Sequence, residues 1–367
     1  MPSTNDHYDE EKTVYIIHEN DLWIPPFCEA FDQLGLKYVE WNINSSHTFS
    51  INNSPPKNSL YFNRISPSSH TRNHRYACEY TSQLLDWLRL HNCRIINDNR
   101  ALTLELSKVK QYAELKKWNI KVPKTAVVCN VDIMNSTTFD QKQFIQKLKE
   151  AAKINFYDEQ TGKWTQFITK HNRAGKGLGV HLFTNDVELE KHFLTLFNEL
   201  KENGVKNVEE ELSIDGIYLL QRFIKSKEHT INRAEFIGYK NMYVIQVDTL
   251  QGFQLCPSDA CRKQQQQDKN LVKQSVDTIQ HGFDIRDPKT LTNKENELIQ
   301  SLEGFLRKHE IEIAGIEYIE DSETDQLYVY DINCNTNYNV AAEKRFYAQM
   351  HGVVRLGEYF QKQLETL

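Results

Sequence analysis

A chain of 367 residues exceeds the size at which one hydrophobic core stops growing, so two or three packed lobes are expected. Apolar residues at 39 %, charged residues at 26 %, and 18 Phe, 17 Tyr and 5 Trp exclude a disordered polymer. The formal charge of −6, from 44 basic and 50 acidic residues, gives no general attraction for nucleic acid.

"MPSTNDHYDEEKTVYIIHEN" at the start carries acids and no apolar stretch of secretory length, and no run of 18 apolar residues reads as a membrane span. Seven scattered cysteines fit a reducing compartment better than a disulfide framework, so a cytoplasmic protein without membrane or nucleic-acid partners is expected. Cys256 and Cys261 form a lone pair in "CPSDAC", short of the four ligands of a structural zinc.

"KTVYIIHEN" has the short β-branched run of a buried strand. "PPFCEAFDQLGLKYVEW" then shows helical spacing before a second strand-like run. "SLYFNRISPSS" reads as a strand entering a loop, and "HRYACEYTSQLLDWLRLHN" as an amphipathic helix with Tyr80, Leu84, Leu85 and Leu88 on one side. This alternation predicts a parallel sheet. "LELSKVKQYAELKKWN" predicts one helix before the strand "IKVPKTAVV".

A charged helix follows over 140–160, and "WTQFITKHNRAGKGLGVHLF" predicts two strands around a glycine-bearing turn. Next come the helix "DVELEKHFLTLFNELKENG" and strands at "GIYLLQRFI", "NRAEFIGYKNMYVIQVDT" and "GFQLC". The four glutamines 264–267 read as a solvated loop. The tail holds a long helix near 291–309, the hairpin "AGIEYIEDSETDQLYVYDIN" and a final helix, and no internal repeat is present.

Three stretches carry chemistry. In "VYDIN", residues two apart share a strand face, so Asp331 and Asn333 point together, with Glu317 in reach on the partner strand. Such oxygen donors suit magnesium beside a phosphate, although Asx residues also cap strands and start turns. "ITKHNRAGKGLGV" fits neither the Walker A pattern nor the dinucleotide fingerprint. It leaves Lys170 on a strand before a loop in which Gly175, Gly177 and Gly179, with Arg173 and Lys176 beside them, admit an anion; a plain flexible hairpin is the alternative. "LLQRFI" is an apolar segment able to offer backbone groups to an adenine edge, or simply a strand.

In this order, with Lys108 on a helix ahead of them, these stretches resemble the ATP-grasp superfamily, and within it the RimK-like glutamate ligases, from about residue 60 to 340. The resemblance implies an α/β (α+β) ATP-grasp fold with an N-terminal parallel α/β (pre-ATP-grasp) domain and the nucleotide bound between two lobes. Its boundaries would be 1–101 for the N-terminal domain, 102–221 for the lobe with the glycine-rich phosphate loop, and 222–367 for the lobe with the metal ligands.

The same resemblance implies an ATP-dependent carboxylate–amine ligase acting through an acyl phosphate on an amino acid or peptide. ATP and Mg2+, with Mn2+ as the alternative, would be its cofactors. Lys108, Lys170, Gly175, Lys176 and Gly177 would face the phosphates. Gln221, Arg222 and Phe223 would face adenine through backbone contacts, and Glu228, with Asn232 as rival, the ribose. Glu317, Asp331 and Asn333 would hold the metal.

Two segments depart from the family. Arg222 stands where these ligases carry a hinge acid, and Gly252, Phe253 and Gln254 stand where they carry Arg-Ser-Asn at the reacting phosphate. Gln254 and Arg233, or Arg262, are then the candidates for stabilising the acyl phosphate. "FNRISPSSHTRNHR" packs Arg64, Arg72 and Arg75 with two histidines after a strand, as either a carboxylate-binding loop or a solvated one. Asn335, Asn337 and Asn339 sit where relatives continue toward Pro-Gly and are placed at the acceptor pocket, with Asp259 as an amine-orienting group. Small-molecule or peptide carboxylates and amines are the expected partners, and a homo-oligomer is common among such relatives. Phosphoryl transfer to a hydroxyl and a nucleotide-binding regulator without turnover are the competing readings.

Overall fold

The computed structural model describes residues 12–45, 47–130, 140–175, 177–203, 212–227, 229–248, 283–346 and 351–367. β1 (Thr13–His18) is a β-branched and aromatic run whose six residues are all buried. It can be so because it is an inner strand of a four-stranded parallel sheet covered on both faces. The order is β2-β1-β3-β4, with β2 at Tyr38–Asn42, β3 at Ser59–Asn63 and β4 at Arg94–Ile96.

Helix α1 (Pro25–Leu34) begins at a proline pair, where a missing N–H leaves no bond unmade, and stops at Gly35 with φ 66°. Helix α2 (Ala77–Leu90) buries Leu84, Leu85 and Leu88. The single helix expected over "LELSKVKQYAELKKWN" is two. α3 (Asn99–Glu105) ends, and α4 (Lys108–Lys117) restarts because the Ser107 side chain accepts the Lys110 N–H at 3.2 Å.

A second sheet is antiparallel throughout, in the order β5-β10-β8-β9. Its strands are β5 (Thr125–Cys129), β8 (Phe167–His171), β9 (His181–Phe183) and β10 (Ile217–Arg222), and the pair β6 (Tyr157–Asp158) and β7 (Lys163–Trp164) forms a separate small ribbon. Helices α5 (Gln141–Phe156) and α6 (Asp186–Asn203) cover one face, where Phe144, Leu148, Phe193 and Phe197 meet Phe167 and Tyr218.

The third sheet runs β13-β12-β11-β14-β15, from β11 (Thr230–Ile237), β12 (Lys240–Asp248), β13 (Phe283–Ile285), β14 (Ile313–Glu320) and β15 (Leu327–Asn333). Helix α7 (Asn293–Lys308), started by a capping box between Thr292 and Glu295, packs Leu302, Phe305 and Leu306 against Ala234, Ile316 and Val329. Each such side chain contributes roughly 1.5–3 kcal/mol by burial. With this face committed to the core, the period of two turns Arg233, Glu235, Glu317, Asp331 and Asn333 to the other.

Helices α8 (Val340–Phe346) and α9 (Gly352–Glu365) close the chain. Phe360 of α9 meets Phe62 and Phe31 at ring-centre distances of 4.9 and 5.8 Å, so the C-terminus packs on the first sheet. On α8, Glu343 accepts the Tyr243 hydroxyl at 2.6 Å and the Gly352 N–H at 2.8 Å, and burial pushes its carboxyl up to about 7.

Candidate active site

Three adjacent strands form one rung, with Arg233 beside Glu317 and Glu317 beside Asp331. The next rung reads Glu235, Gly315, Asn333. A Cβ on Gly315 would lie 2.4 Å from Nη2 of Arg233, so this glycine is what lets the guanidinium cross the sheet. Arg233 then donates to Glu235 Oε1 at 2.7 Å, Glu317 Oε1 at 3.2 Å and Thr336 Oγ1 at 2.6 Å. Between Glu317 and Tyr318 the register shifts, leaving Tyr330 as one extra residue on β15, so that Tyr330 and Asp331 both line the cleft. Val329 and Ile332 stay in the core.

Burial raises the Glu317 carboxyl, opposed by Arg233 and reinforced by Asp331. Burial also works against Asp331 as an anion, yet Lys108 and Lys170 outweigh it and hold that carboxyl below its ordinary value. The Lys108 ammonium, from the first residue of α4, donates to Asp331 Oδ1 at 2.9 Å and to the Ala174 carbonyl at 3.0 Å. Lys170, on β8, donates to the Tyr330 carbonyl at 2.9 Å and the Tyr112 hydroxyl at 3.3 Å, and stands 5.2 Å from the Tyr330 ring centre. Burial lowers its pKa. The Tyr330 hydroxyl bonds Glu317, so this one ring touches a lysine of the second sheet and an acid of the third.

Glu317, Asp331 and Asn333 offer only oxygen donors, which suits a hard divalent cation such as Mg2+. The set depends on the asparagine, for among the described residues no group of three or more His, Cys, Asp or Glu side chains is arranged for a metal. Asn333 Oδ1 also accepts the Asn335 N–H at 2.9 Å, so the turn-starting reading of this residue is realised as well. Asn339 takes the helix-capping part, its Oδ1 accepting the Ala342 N–H at 2.8 Å at the start of α8.

These side chains open on a cleft of about 450 Å3. Lys170, Gly175, Gly177, Gln221, Arg222, Phe223, Arg233, Glu317, Asp331, Asn333, Asn335 and Asn337 all line it. Ile168, Val180, Ile231 and Ile319 supply apolar walls that the sequence reading did not single out. After β8, Gly177 and Gly179 take φ values of 75° and 66°, and a Cβ on Gly179 would meet His171 Nε2 at 2.2 Å. Lys176, Glu228, Gln254, Asp259, Arg262 and the two cysteines of "CPSDAC" lie outside the described residues.

The expected hinge contacts need correcting. The Arg222 N–H donates to the Lys124 carbonyl at 2.8 Å and the Phe223 N–H to the Gln166 carbonyl at 3.0 Å, so the sheet has already used both donors. The next one, the Ile224 N–H, has no partner among the described residues. The Arg222 side chain reaches Asp321 and Glu323, each at 3.1 Å, and so ties the hinge to the β14–β15 turn.

The arginines expected at the substrate are also committed elsewhere. Arg64 is buried, donates to the Thr336 carbonyl and Asn337 Oδ1 at 2.6 Å each, and lies over Phe27 at 4.6 Å. It straps β3 to the loop after β15 rather than lining the cleft. Arg72 and His74 hold the buried carboxylate of Glu19, with the histidine at 2.8 Å. Arg75 makes an exposed pair with Glu79 at 3.3 Å. Arg173 donates to that same glutamate at 2.8 Å and to the Pro67 carbonyl at 3.3 Å. His70, pushed down to about 4 by burial and by Arg173, stays neutral. This end of the cleft is lined instead by Trp23, Ser66, Ser68, Asn335, Asn337 and Glu105, and no periodic pattern marks the glutamate.

No family model and no curated protein matches the chain. Solved structures do. D-alanyl-alanine synthetase A from Vibrio cholerae superposes with a TM-score of 0.59 at 11% identity, over 97% of this chain and 98% of that one. A RimK domain ATP-grasp protein from Sphaerobacter thermophilus gives 0.55 at 12%, over 95% and 98%. A RiPP-associated ATP-grasp ligase from Chryseobacterium gregarium, in complex with ADP and a leader and core peptide, gives 0.52 at 15%, over 97% of each chain. The chain has the ATP-grasp fold, as the resemblance implied. Among the described residues no helix is long and apolar enough to cross a membrane.

Proposed function

We propose that this chain is an ATP-dependent ligase that joins a carboxylate to an amine through an acyl phosphate, with an amino acid or a peptide as substrate. The observation that carries the reading is the rung of Arg233, Glu317 and Asp331 at a cleft of about 450 Å3, with Lys108 bonded to Asp331 and Lys170 to the neighbouring Tyr330 carbonyl. The D-alanyl-alanine synthetase and the peptide-bound ligase among the structural neighbours support the substrate class.

The apolar walls would take the adenine, with the Ile224 N–H at its edge. Lys108 and Lys170 would meet the phosphates, Lys108 giving up its bond to Asp331 as it does so. Glu317, Asp331 and Asn333 would hold Mg2+, or Mn2+, whose charge offsets that gathering on the phosphoryl oxygens. Arg233 commits three of its five N–H donors to Glu235, Glu317 and Thr336, so it fixes Glu317 and keeps one N–H on each terminal nitrogen for the reacting phosphate. A substrate carboxylate oxygen attacks the terminal phosphorus and ADP departs. The amine nitrogen then attacks the acyl carbon, the carbon–oxygen bond to phosphate breaks, and the spare proton passes to water.

Phosphoryl transfer to a hydroxyl on a phosphorylated acceptor would draw support from free arginines after β3. Their bonds to Glu19, Glu79 and the loop after β15 remove that support. The test is incubation with Mg-ATP and pairs of amino acids or short peptides, with phosphate release measured and Asp331→Ala as control. Release that requires both a carboxylate and an amine is expected. A phosphorylated alcohol as product, or equal release by Asp331→Ala, would overturn the reading.

A further inference from the structure

Three acids line the cleft, and they are not equivalent. Glu317 is paired with Arg233 and Asp331 with Lys108. Glu105, at the last turn of α3, is only 6% exposed and forms no ion pair with any described residue. Its Oε2 accepts the Cys334 N–H at 3.1 Å, one residue beyond Asn333, which pins the carboxyl next to the metal-ligand strand. Its Oε1 has no partner among the described residues and is not sealed from the cleft. Around it Ser66 and Ser68 share a hydroxyl bond at 2.9 Å and Asn335 donates to the Arg64 carbonyl at 3.0 Å, while the two cations that act on its charge point elsewhere, Arg64 to Thr336 and Asn337 and Lys108 to Asp331 and Ala174.

The cleft is thus divided electrically. Lys170 and Arg233 face its nucleotide side, whereas the side formed by α3 and the loop after β3 offers an unpaired carboxyl among hydroxyls and amides. A carboxylate substrate finds no cation to hold it on that side, and an ammonium group finds an acid. We propose that Glu105 is the seat of the amine substrate, which enters as a primary ammonium ion, docks on Oε1 beside Asp331 and Asn333, and gives one proton to water before its nitrogen attacks. Burial, reinforced by Asp331, pushes the Glu105 carboxyl up to about 8, and a cation docked there offsets both the burial cost of its charge and the repulsion from Asp331.

The inference rests on the ligase reading, and the two fail differently. Wild type and Glu105→Gln are compared with Mg-ATP and the carboxylate found active above, using two nucleophiles. One is the common amino acids as ammonium ions, and the other is hydroxylamine, uncharged at neutral pH, which traps the acyl phosphate as a hydroxamate. Glu105→Gln is expected to raise the KM for the ammonium nucleophile by about tenfold or more. The KM for ATP, hydroxamate formation and Mg-ADP binding should stay as in wild type, which also shows that the variant folds. An unchanged amine KM, or an equal loss with hydroxylamine, overturns the seat at Glu105 and leaves the ligase standing. Absence of any amine-dependent phosphate release by wild type refutes the ligase itself and the seat with it.

Discussion

The third sheet and the segment between β3 and α2 both set charged side chains near the middle of the molecule, but they use them oppositely. On the sheet, ladder register aligns Arg233, Glu317 and Asp331 on one face, and the core on the other face keeps them there. In the segment, Arg64, Arg72 and Arg75 follow no periodicity; Arg64 and Arg72 are bound to partners in the interior and Arg75 to an exposed glutamate. A strand therefore advertises its chemistry through spacing, whereas a loop rich in arginine advertises only charge.

The sharpest way to break this contrast is Asp331→Ala. It should lower phosphate release by about 100-fold or more, since charge offset at the transferring phosphate dominates such reactions. Undiminished turnover would mean that the rung does not carry the chemistry.

A buried acid without a cation sharpens the contrast from the other side. Glu343 has a tyrosine hydroxyl and an amide where Asp331 has two lysines, and its carboxyl is raised from 4.5 to about 7. The folded state thus binds the proton more tightly than the unfolded state. The stability this contributes is full below pH 4.5 and is lost as pH climbs to about 7. In urea titrations at these two pH values, wild type should lose on the order of 3 kcal/mol relative to Glu343→Gln. Parallel pH profiles for the two proteins would contradict the assignment.

Arg64→Ala, next in size, should cost about 2 kcal/mol of stability in urea unfolding because two charged hydrogen bonds disappear from the interior. The stability of the variant is the reading, since Arg64 lies outside the cleft; a loss of substrate affinity with full stability would restore it as a ligand. Gly315→Ala places a methyl against the Arg233 guanidinium, so kcat should fall about tenfold with a small drop in Tm. Arg75→Ala should shift stability by less than about 0.5 kcal/mol, its pair with Glu79 being exposed, and should leave every KM unchanged.

Much of the site was legible before any coordinates. Asp331 and Asn333 differ by two and Glu317 sits across a short turn, so local rules grouped these three, whereas Lys170 and Lys108 joined them only through the order of the motifs and the family it resembles. What escaped was set by distance along the chain. Arg64 finds its carbonyl partner 272 residues away, and the Cys334 amide that pins Glu105 is 229 residues distant. The break between α3 and α4 was local, and Ser107 was its signal, a capping residue read as part of a continuous helix. The hinge donors were misassigned because a strand's hydrogen bonds depend on which neighbours flank it, and β10 has one on each side.

The extra residue on β15 has an evolutionary corollary. Tyr330 is inserted where Glu317 already faces Asp331 and Tyr318 already faces Val329, so an in-frame deletion of its codon would leave those pairings, and the alternation of faces, in place. The ladder can therefore gain or shed this residue in a single step without a slip of register at the acids, at the loss of the carbonyl and ring that hold Lys170.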